Sequence, residues 1–100
     1  SRGQHQDLER NIRLGIGFLE YLFGKFDHPA MVVAGYNSGP GGVFKTLKRY
    51  SGNEVDEFVE HIPYDQTRRY TKRVLSSAWR YQVLYEKPGV VPFPMTFKRP

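Results

Sequence analysis

The sequence contains no cysteine in its 100 residues, so neither a disulfide framework nor a thiolate metal site can form. Its three histidines, His5, His28 and His61, lack the spacing of metal ligands, and neither a metal nor another cofactor is predicted. No apolar run approaches the length that spans a bilayer, so no transmembrane segment is predicted. These absences leave a small globular domain, or a part of one, as the class to consider.

Hydrophobic residues make up 39% of the chain and aromatic residues 15%, which is enough for a packed core and excludes disorder throughout. The formal net charge is +5, which favours anionic partners such as nucleic acid, a membrane surface or an anionic cell-wall polymer. The basic residues are scattered, except for a cluster at Arg68, Arg69, Lys72 and Arg73. On a helix the last three share a face, which is either a solvated surface or an anion contact.

Apolar residues recur at intervals of three and four, which predicts an all-α chain of about five helices. These helices span residues 7–26, 29–37, 42–50, 54–61 and 66–86. Asp27, His28 and Pro29 are typical of a helix start, and Asp65 is predicted to cap the last helix. The second helix is apolar on all sides, which predicts a buried central position.

The last predicted helix carries an apolar stripe that we expect to pack on the rest of the domain. Its members are Tyr70, Val74, Ala78, Tyr81 and Tyr85, with Leu75 and Leu84 beside them. Trp79 is predicted to add a large buried surface. From Lys87 onward the chain has four prolines, which predict an extended tail along the domain surface. The chain is therefore divided into a helical domain at 1–86 and a Pro-rich tail at 87–100.

The run from Gly35 to Gly42 is the most informative segment of the chain. An apolar stretch at 31–34 leads directly into Tyr36 and Asn37, and then the chain turns at Gly39 and Pro40. A phenol and a carboxamide at the rim of a packed core, beside glycines that let a ligand approach the backbone, are typical of a binding site. The alternative is a helix C-cap in which Asn37 or Gly39 supplies the left-handed turn.

Three ordered motifs, over roughly residues 7 to 85, resemble the second, C-terminal half of the catalytic domain of the soluble lytic murein transglycosylases. That family typically shows N-I-x-x-G, then A-Y-N-A-G-P-G, then E-x-I-P-Y-x-E-T-R-x-Y-V-x-x-V. The matching segments are Asn11-Ile12-Arg13-Leu14-Gly15, the run at 35–42, Glu60-His61-Ile62-Pro63-Tyr64 and the segment at 67–75. The chain departs mildly from the family pattern at four positions, which are Gly35, Ser38, Gln66 and Thr71.

The resemblance implies a lysozyme-like, all-helical fold and an enzyme that acts on peptidoglycan in the bacterial periplasm or cell envelope. Such an enzyme cleaves the β-1,4 bond between N-acetylmuramic acid (MurNAc) and N-acetylglucosamine (GlcNAc) and forms a 1,6-anhydro product. A glutamic acid with a raised pKa protonates the glycosidic oxygen, and the C6 hydroxyl of the sugar then attacks. The glycan strand would be the binding partner, and no nucleic acid is expected.

Five residues are predicted to bind substrate: Tyr36, Asn37, Glu60, Tyr64 and Tyr70. Aromatic rings suit the faces of sugars, and amides or carboxylates suit their hydroxyls. By the resemblance, Tyr36 and Asn37 line the cleft near the scissile bond, and Glu60 contacts substrate without donating a proton. The turn at Pro63 is expected to aim Glu60 toward Tyr36. The alternatives are a core tyrosine, a helix cap and a solvated glutamate.

The catalytic acid of the resembled family is absent from this sequence. The family carries it in a Glu-Ser motif followed by Gly-Leu-Met-Gln, upstream of N-I-x-x-G, and neither motif occurs here. No catalytic residue is therefore predicted in the chain, which resembles the substrate-cleft half of the domain. We expect the 100 residues alone to be inactive. We also expect one apolar face to lack a partner, which would be the missing N-terminal half, a second chain or another copy.

Two other functions are consistent with the residues. A domain without the acid could be a peptidoglycan-binding module that holds glycan or stem peptide and does not cut it. A basic helical nucleic-acid binder that uses the cluster at 68–73 is the second alternative, and it would bind DNA with a steep dependence on salt.

Overall fold

The computed structural model of the chain describes residues 2–85 and 89–100, with Arg2 described in its backbone only. These residues form five α-helices and no β-strand, which confirms the all-α prediction. The helices are α1 (Arg2–Lys25), α2 (Pro29–Ser38), α3 (Pro40–Arg49), α4 (Val55–Glu60) and α5 (Asp65–Tyr85).

Helix α2 is the centre of the fold and packs against α1, α3 and α5. Its buried residues are Ala30, Met31, Val32, Ala34 and Gly35, so the predicted central position is confirmed. The helix begins after His28, whose Nδ1 accepts a hydrogen bond from the N–H of Ala30 at 2.9 Å. Since Nδ1 is an acceptor, the ring proton lies on Nε2, which donates to the carbonyl of Pro94 at 2.7 Å.

A single residue, Gly39, separates α2 from α3, so the break is shorter than predicted. Its φ of 81° is a conformation that glycine adopts without steric cost, and its N–H donates to the carbonyl of Gly35 at 2.8 Å. Pro40 and Gly41 lie in the first turn of α3 and do not break the helix. Proline fits there because the first helical N–H groups lack an intrahelical partner anyway.

Asp65 does not cap α5, contrary to the prediction. It is the first residue of the helix and forms an ion pair with Arg68 one turn later. The N–H of Arg68 donates to the carbonyl of Tyr64 at 2.9 Å, so Tyr64 occupies the cap position. The helix therefore begins at Asp65, one residue earlier than predicted. A carboxylate in the first turn still interacts favourably with the helix dipole.

The tail is extended and lies along the domain, as predicted, and its contacts are extensive. Phe97 is 5% exposed and packs edge-on against Phe58, with ring centroids 5.6 Å apart. The N–H of Phe97 donates to the carbonyl of Asn53, and the N–H of Val55 donates to the carbonyl of Met95, both at 2.9 Å. Residues 86–88, where the predicted helix ends and the predicted tail begins, lie outside the described residues.

Arg99 fastens the tail to the end of α3. Its guanidinium donates to the backbone carbonyls of Leu47, Tyr50 and Gly52 at 2.6–2.8 Å. Carbonyls at a helix C-terminus lack intrahelical donors, so a cation satisfies both their hydrogen bonding and the helix dipole. Nearby, the N–H of Lys98 donates to the carboxylate of Asp27 at 3.0 Å.

The predicted burial of the α5 stripe is wrong in its second half. Val74, Leu75 and Ala78 are half-buried, but the members beyond them are exposed, and Trp79 remains 39% exposed. The exposed members are Tyr81, Leu84 and Tyr85. The two buried residues of α5, Thr67 and Thr71, lie in its first two turns, so burial decreases along the helix.

Helix α1 also exposes apolar side chains to solvent. Leu22 and Phe26 at its end are buried, whereas Leu8, Ile12 and Ile16 along its length are each more than half exposed. The radius of gyration is 15.3 Å, compared with about 13 Å for a compact domain of this length. Within the described residues this apolar face of α1 is largely exposed, and the partner expected to cover it stays a prediction.

A side chain at Gly42 is expected to destabilise the fold, whereas a side chain at its neighbour Gly41 is not. A Cβ on Gly42 would lie 2.7 Å from the Cβ of Ser38 and 3.3 Å from Cε2 of Tyr64, and no side-chain rotation relieves the first clash. We expect Gly42→Ala to lower the free energy of unfolding by about 1–3 kcal/mol, as overpacking does. The measurement is urea denaturation followed by circular dichroism.

Gly41→Ala is the matched control for this prediction, since it lies in the same turn of α3 with nothing within 4 Å of the added atom. Alanine favours the helix by up to about 1 kcal/mol over glycine, so this variant should be neutral or stabilised. Equal destabilisation of both variants would show that the close approach of Ser38 is not the cause.

Candidate functional site

Asn37 lies in the last turn of α2, where its side chain is exposed and fixed in orientation. Its Oδ1 accepts a hydrogen bond from the hydroxyl of Thr67 at 2.7 Å. Thr67 is buried in the first turn of α5, so this bond joins the two helices at the site. Because the amide oxygen is engaged, the two N–H donors of Nδ2 are directed away from Thr67.

A cavity of about 260 Å³ adjoins this amide. Its lining residues are Asn37, Ser38, Tyr64, Gln66 and Thr67. The ring of Tyr64 is partly exposed, and the ammonium group of Lys45 lies 5.4 Å from its centroid. Ser38 donates its hydroxyl proton toward the carbonyl of Ala34 at 2.8 Å, which leaves the oxygen able to accept. The structure therefore brings the predicted residues Asn37 and Tyr64 together.

Tyr36 directly precedes Asn37 on α2, and its side chain is 43% exposed. Its ring is tilted against that of Phe18 on α1, with centroids 5.7 Å apart. Its hydroxyl lies 3.4 Å from the position that a Cβ on Gly15 would occupy. A Cβ on Gly17, by contrast, would have nothing within 4 Å.

Glu60 lies apart from Asn37 and Tyr64. Its carboxylate forms an ion pair with the ammonium group of Lys72 at 2.5 Å, and it lines a different cavity, of about 420 Å³, between α4 and α5. The hydrogen bond from Lys72 is the main cause that lowers the pKa of Glu60, and the charges of Lys72, Arg68 and His61 add to it. Glu60 is therefore held ionised, which is the opposite of what a proton donor needs.

Tyr70 is half-buried on α5, and within the described residues it lines neither of these cavities. Asn37 and Tyr64 thus line one cavity, and Tyr36 is the residue before Asn37 on α2. Glu60 lines a different cavity.

No described carboxyl group lies in surroundings that suit a general acid. The described residues hold nine of the ten carboxylate side chains, since Glu86 lies outside them, and all nine are exposed. Apolar burial is what suits a carboxyl group to donate a proton, and none of these nine side chains is buried. The same residues also contain no group of three side chains able to hold a metal ion.

Sequence reasoning did not assign a role to Thr67, which fixes the amide of Asn37. Thr67 lies in the motif segment at 67–75. Its hydrogen-bond partner lies 30 residues earlier in the sequence, and the motif does not indicate that contact. Gln66 and Ser38, which complete the lining of the cavity, were noted only as departures from the family pattern.

The sequence pattern of the transglycosylase SLT domain matches residues 1–59. The chain belongs to this family. Its all-α architecture agrees with the lysozyme-like fold that the resemblance implied. The match confirms the family prediction made from the three motifs.

Two bacterial proteins illustrate the relationship to the SLT family. The soluble lytic murein transglycosylase of Escherichia coli K12 is 37% identical over 94 residues, which cover 91% of this chain and 15% of that protein. The protein of the same description from Salmonella typhimurium is 38% identical over 76 residues, which cover 74% of this chain and 12% of that protein. The chain thus spans less than a sixth of the length of these relatives. No solved structure matches it.

No helix in the described part of this SLT chain has the length and hydropathy required to cross a membrane.

Proposed function

We propose that this chain is the substrate-cleft portion of a peptidoglycan lytic transglycosylase of the bacterial periplasm or cell envelope. The whole enzyme would cleave the β-1,4 bond between MurNAc and GlcNAc and leave a 1,6-anhydro sugar. Membership of the SLT family supports this, as do the descriptions of the relatives as lytic murein transglycosylases. The observation that carries the proposal is the amide of Asn37, oriented by Thr67 at the edge of a cavity.

The chemistry of this cavity suits an N-acetylated sugar. The free N–H donors of Asn37 would bind a sugar hydroxyl or the carbonyl of an N-acetyl group. The partly exposed rings of Tyr36 and Tyr64 would offer apolar faces to the C–H groups of the sugar. The hydroxyl at the edge of each ring adds a polar group. Apolar surfaces with a few fixed polar groups are the usual composition of a ligand site.

Glu60 and Tyr70 would act as substrate contacts at a distance from this cavity. Glu60 accepts from Lys72 and remains ionised, so its role would be to accept hydrogen bonds from the substrate and not to donate a proton. This agrees with the role that the resemblance implies for it.

The catalytic acid would lie in an upstream segment that packs on the exposed apolar face of α1. That face presents Leu8, Ile12 and Ile16 to solvent, and covering it would remove a large apolar area from water. The glutamic acid of that segment would protonate the glycosidic oxygen as the bond to C1 of MurNAc breaks. The C6 hydroxyl would then attack C1, and the carboxylate would accept the hydroxyl proton.

Asn37→Ala is the direct test of the proposed cleft. Loss of one oriented hydrogen-bond donor is worth about 0.5–1.5 kcal/mol, so we expect the affinity for a peptide-free GlcNAc–MurNAc oligosaccharide to fall about two- to tenfold. Isothermal titration calorimetry measures this.

Asn53→Ala serves as the control because Asn53 is an exposed asparagine outside the cavity. Its backbone carbonyl accepts from Phe97, and its side chain makes no hydrogen bond to the other described residues. The control should bind like the original chain. An Asn37→Ala variant that folds normally and binds with unchanged affinity would contradict the assignment of this cavity to substrate.

A further inference from the structure

A second groove lies between α4, α5 and the tail, and the function proposed above leaves most of it unused. It consists of two adjoining cavities of about 170 and 420 Å³ that share Asp56, Leu75 and Ser76 in their walls. We call it the α4–α5 groove. Trp79 lies at one end, and the ion pair between Glu60 and Lys72 lies at the other.

Trp79 is held in place while part of its indole stays open to solvent. Its ring meets the ring of Phe93 edge-on, with centroids 5.9 Å apart, and Phe93 is buried. Phe93 meets the buried ring of His28 edge-on at 5.5 Å, so the support behind Trp79 extends into the core. An indole that is partly exposed and yet fixed by packing offers a preformed apolar face to a ligand.

The polar groups beside this indole are available for hydrogen bonds. The side chains of Asp56 and Ser76 make no hydrogen bond or ion pair within the part of the chain that the structure describes. A carboxylate accepts from sugar hydroxyls, and a serine hydroxyl both donates and accepts. A fixed aromatic face flanked by such groups matches a sugar ring, which has C–H groups on its faces and hydroxyls at its rim.

The Trp79 end of the α4–α5 groove lies far from the cavity at Asn37, and no residue lines both the groove and that cavity. Thr67 and Trp79 are twelve residues apart on α5, which corresponds to about 18 Å along the helix axis and about 120° around it. Two different stretches of one polymer, or two neighbouring strands, could therefore occupy both sites at once.

We propose that the α4–α5 groove is a second glycan-binding site, with Trp79 as the aromatic platform and Asp56 as the hydrogen-bond acceptor. The identity of its ligand as an N-acetylated glycan rests on the function proposed above. Occupation of this site would raise the local concentration of glycan at the first cavity, since a second contact with the same polymer is intramolecular.

Trp79 is the only tryptophan of the chain, so its fluorescence reports on this groove specifically. The probe is the peptide-free β-1,4-linked GlcNAc tetramer, titrated into the full 100-residue chain. We expect a saturable change in tryptophan emission that persists in the Asn37→Ala variant. We expect Asp56→Asn to weaken the apparent affinity at least fivefold.

Glu57→Gln is the matched control, because Glu57 is an exposed carboxylate of the same helix that does not line the groove. It should leave the titration unchanged. Circular dichroism checks that the variants keep their helical content.

Three outcomes would overturn the proposal. The emission could stay constant while calorimetry still detects binding that depends on Asn37, which would leave the proposed function intact. The emission change could vanish in Asn37→Ala, which would mean one site only. It could also appear only with peptide-bearing fragments, which would make the occupant a stem peptide. Conversely, a change in emission without any binding that depends on Asn37 would contradict the first cavity and support the groove.

Discussion

Phe97→Ala is expected to lower the free energy of unfolding by about 3–5 kcal/mol. The ring is almost fully buried against Phe58, which is itself completely buried, so its removal leaves a cavity in the core. Domains of this size have total stabilities of about 5–15 kcal/mol, so much of the folded population could be lost. Urea denaturation followed by far-ultraviolet circular dichroism measures the change.

Met95→Ala separates the loss of the ring from a general effect of altering the tail. Met95 is 40% exposed, and its backbone carbonyl, which accepts from Val55, is retained in the variant. We expect this change to cost less than about 1 kcal/mol. If both variants were equally and only slightly destabilised, the tail would not be part of the core.

The 100-residue chain is expected to release no 1,6-anhydro-muropeptides from peptidoglycan, whereas a polypeptide that also carries the upstream Glu-Ser segment is expected to release them. A general acid alone accelerates such a reaction about 10²–10⁴-fold, and the 100 residues contain no Glu-Ser motif to supply it. The measurement is chromatography with mass spectrometry of the soluble products from purified cell walls.

Glu60→Gln tests Glu60 as an alternative proton donor. If the 100 residues do release product and this variant abolishes it, then Glu60 is the proton donor and the role proposed here is wrong. In the longer polypeptide, Glu60→Gln should reduce substrate binding, while replacement of the upstream glutamate with glutamine should abolish product formation.

The five helices were predictable because apolar periodicity reports local structure directly. The exposure of Leu8, Ile12 and Trp79 was not predictable residue by residue, since the same periodicity marks an apolar face whether or not another segment covers it. Asp65 was assigned as a cap from its residue type, but the helix begins at Asp65 itself. A residue type favours a cap without fixing the turn in which it lies.

The candidate site was predictable only in part. Tyr36 and Asn37 were identified because a phenol and an amide at the end of an apolar helix form a distinctive pattern. The bond from Thr67 to Asn37 depends on how α5 crosses α2, which the local sequence does not encode. The separation of Glu60 from Asn37 has the same origin, since the turn at Pro63 does not determine where α4 lies relative to α2.

The tail contacts also determine the order in which the chain can fold. Helices form in about a microsecond or less, whereas the bonds from Lys98 to Asp27, from His28 to Pro94 and from Arg99 to Leu47 join residues 71, 66 and 52 positions apart. Closing such loops costs entropy before any contact compensates for it, so we expect tail docking to be the late step. Until the tail docks, Phe58 lacks its contact with Phe97, and Trp79 lacks its contact with Phe93. The core and the proposed second glycan site would therefore form in the same step.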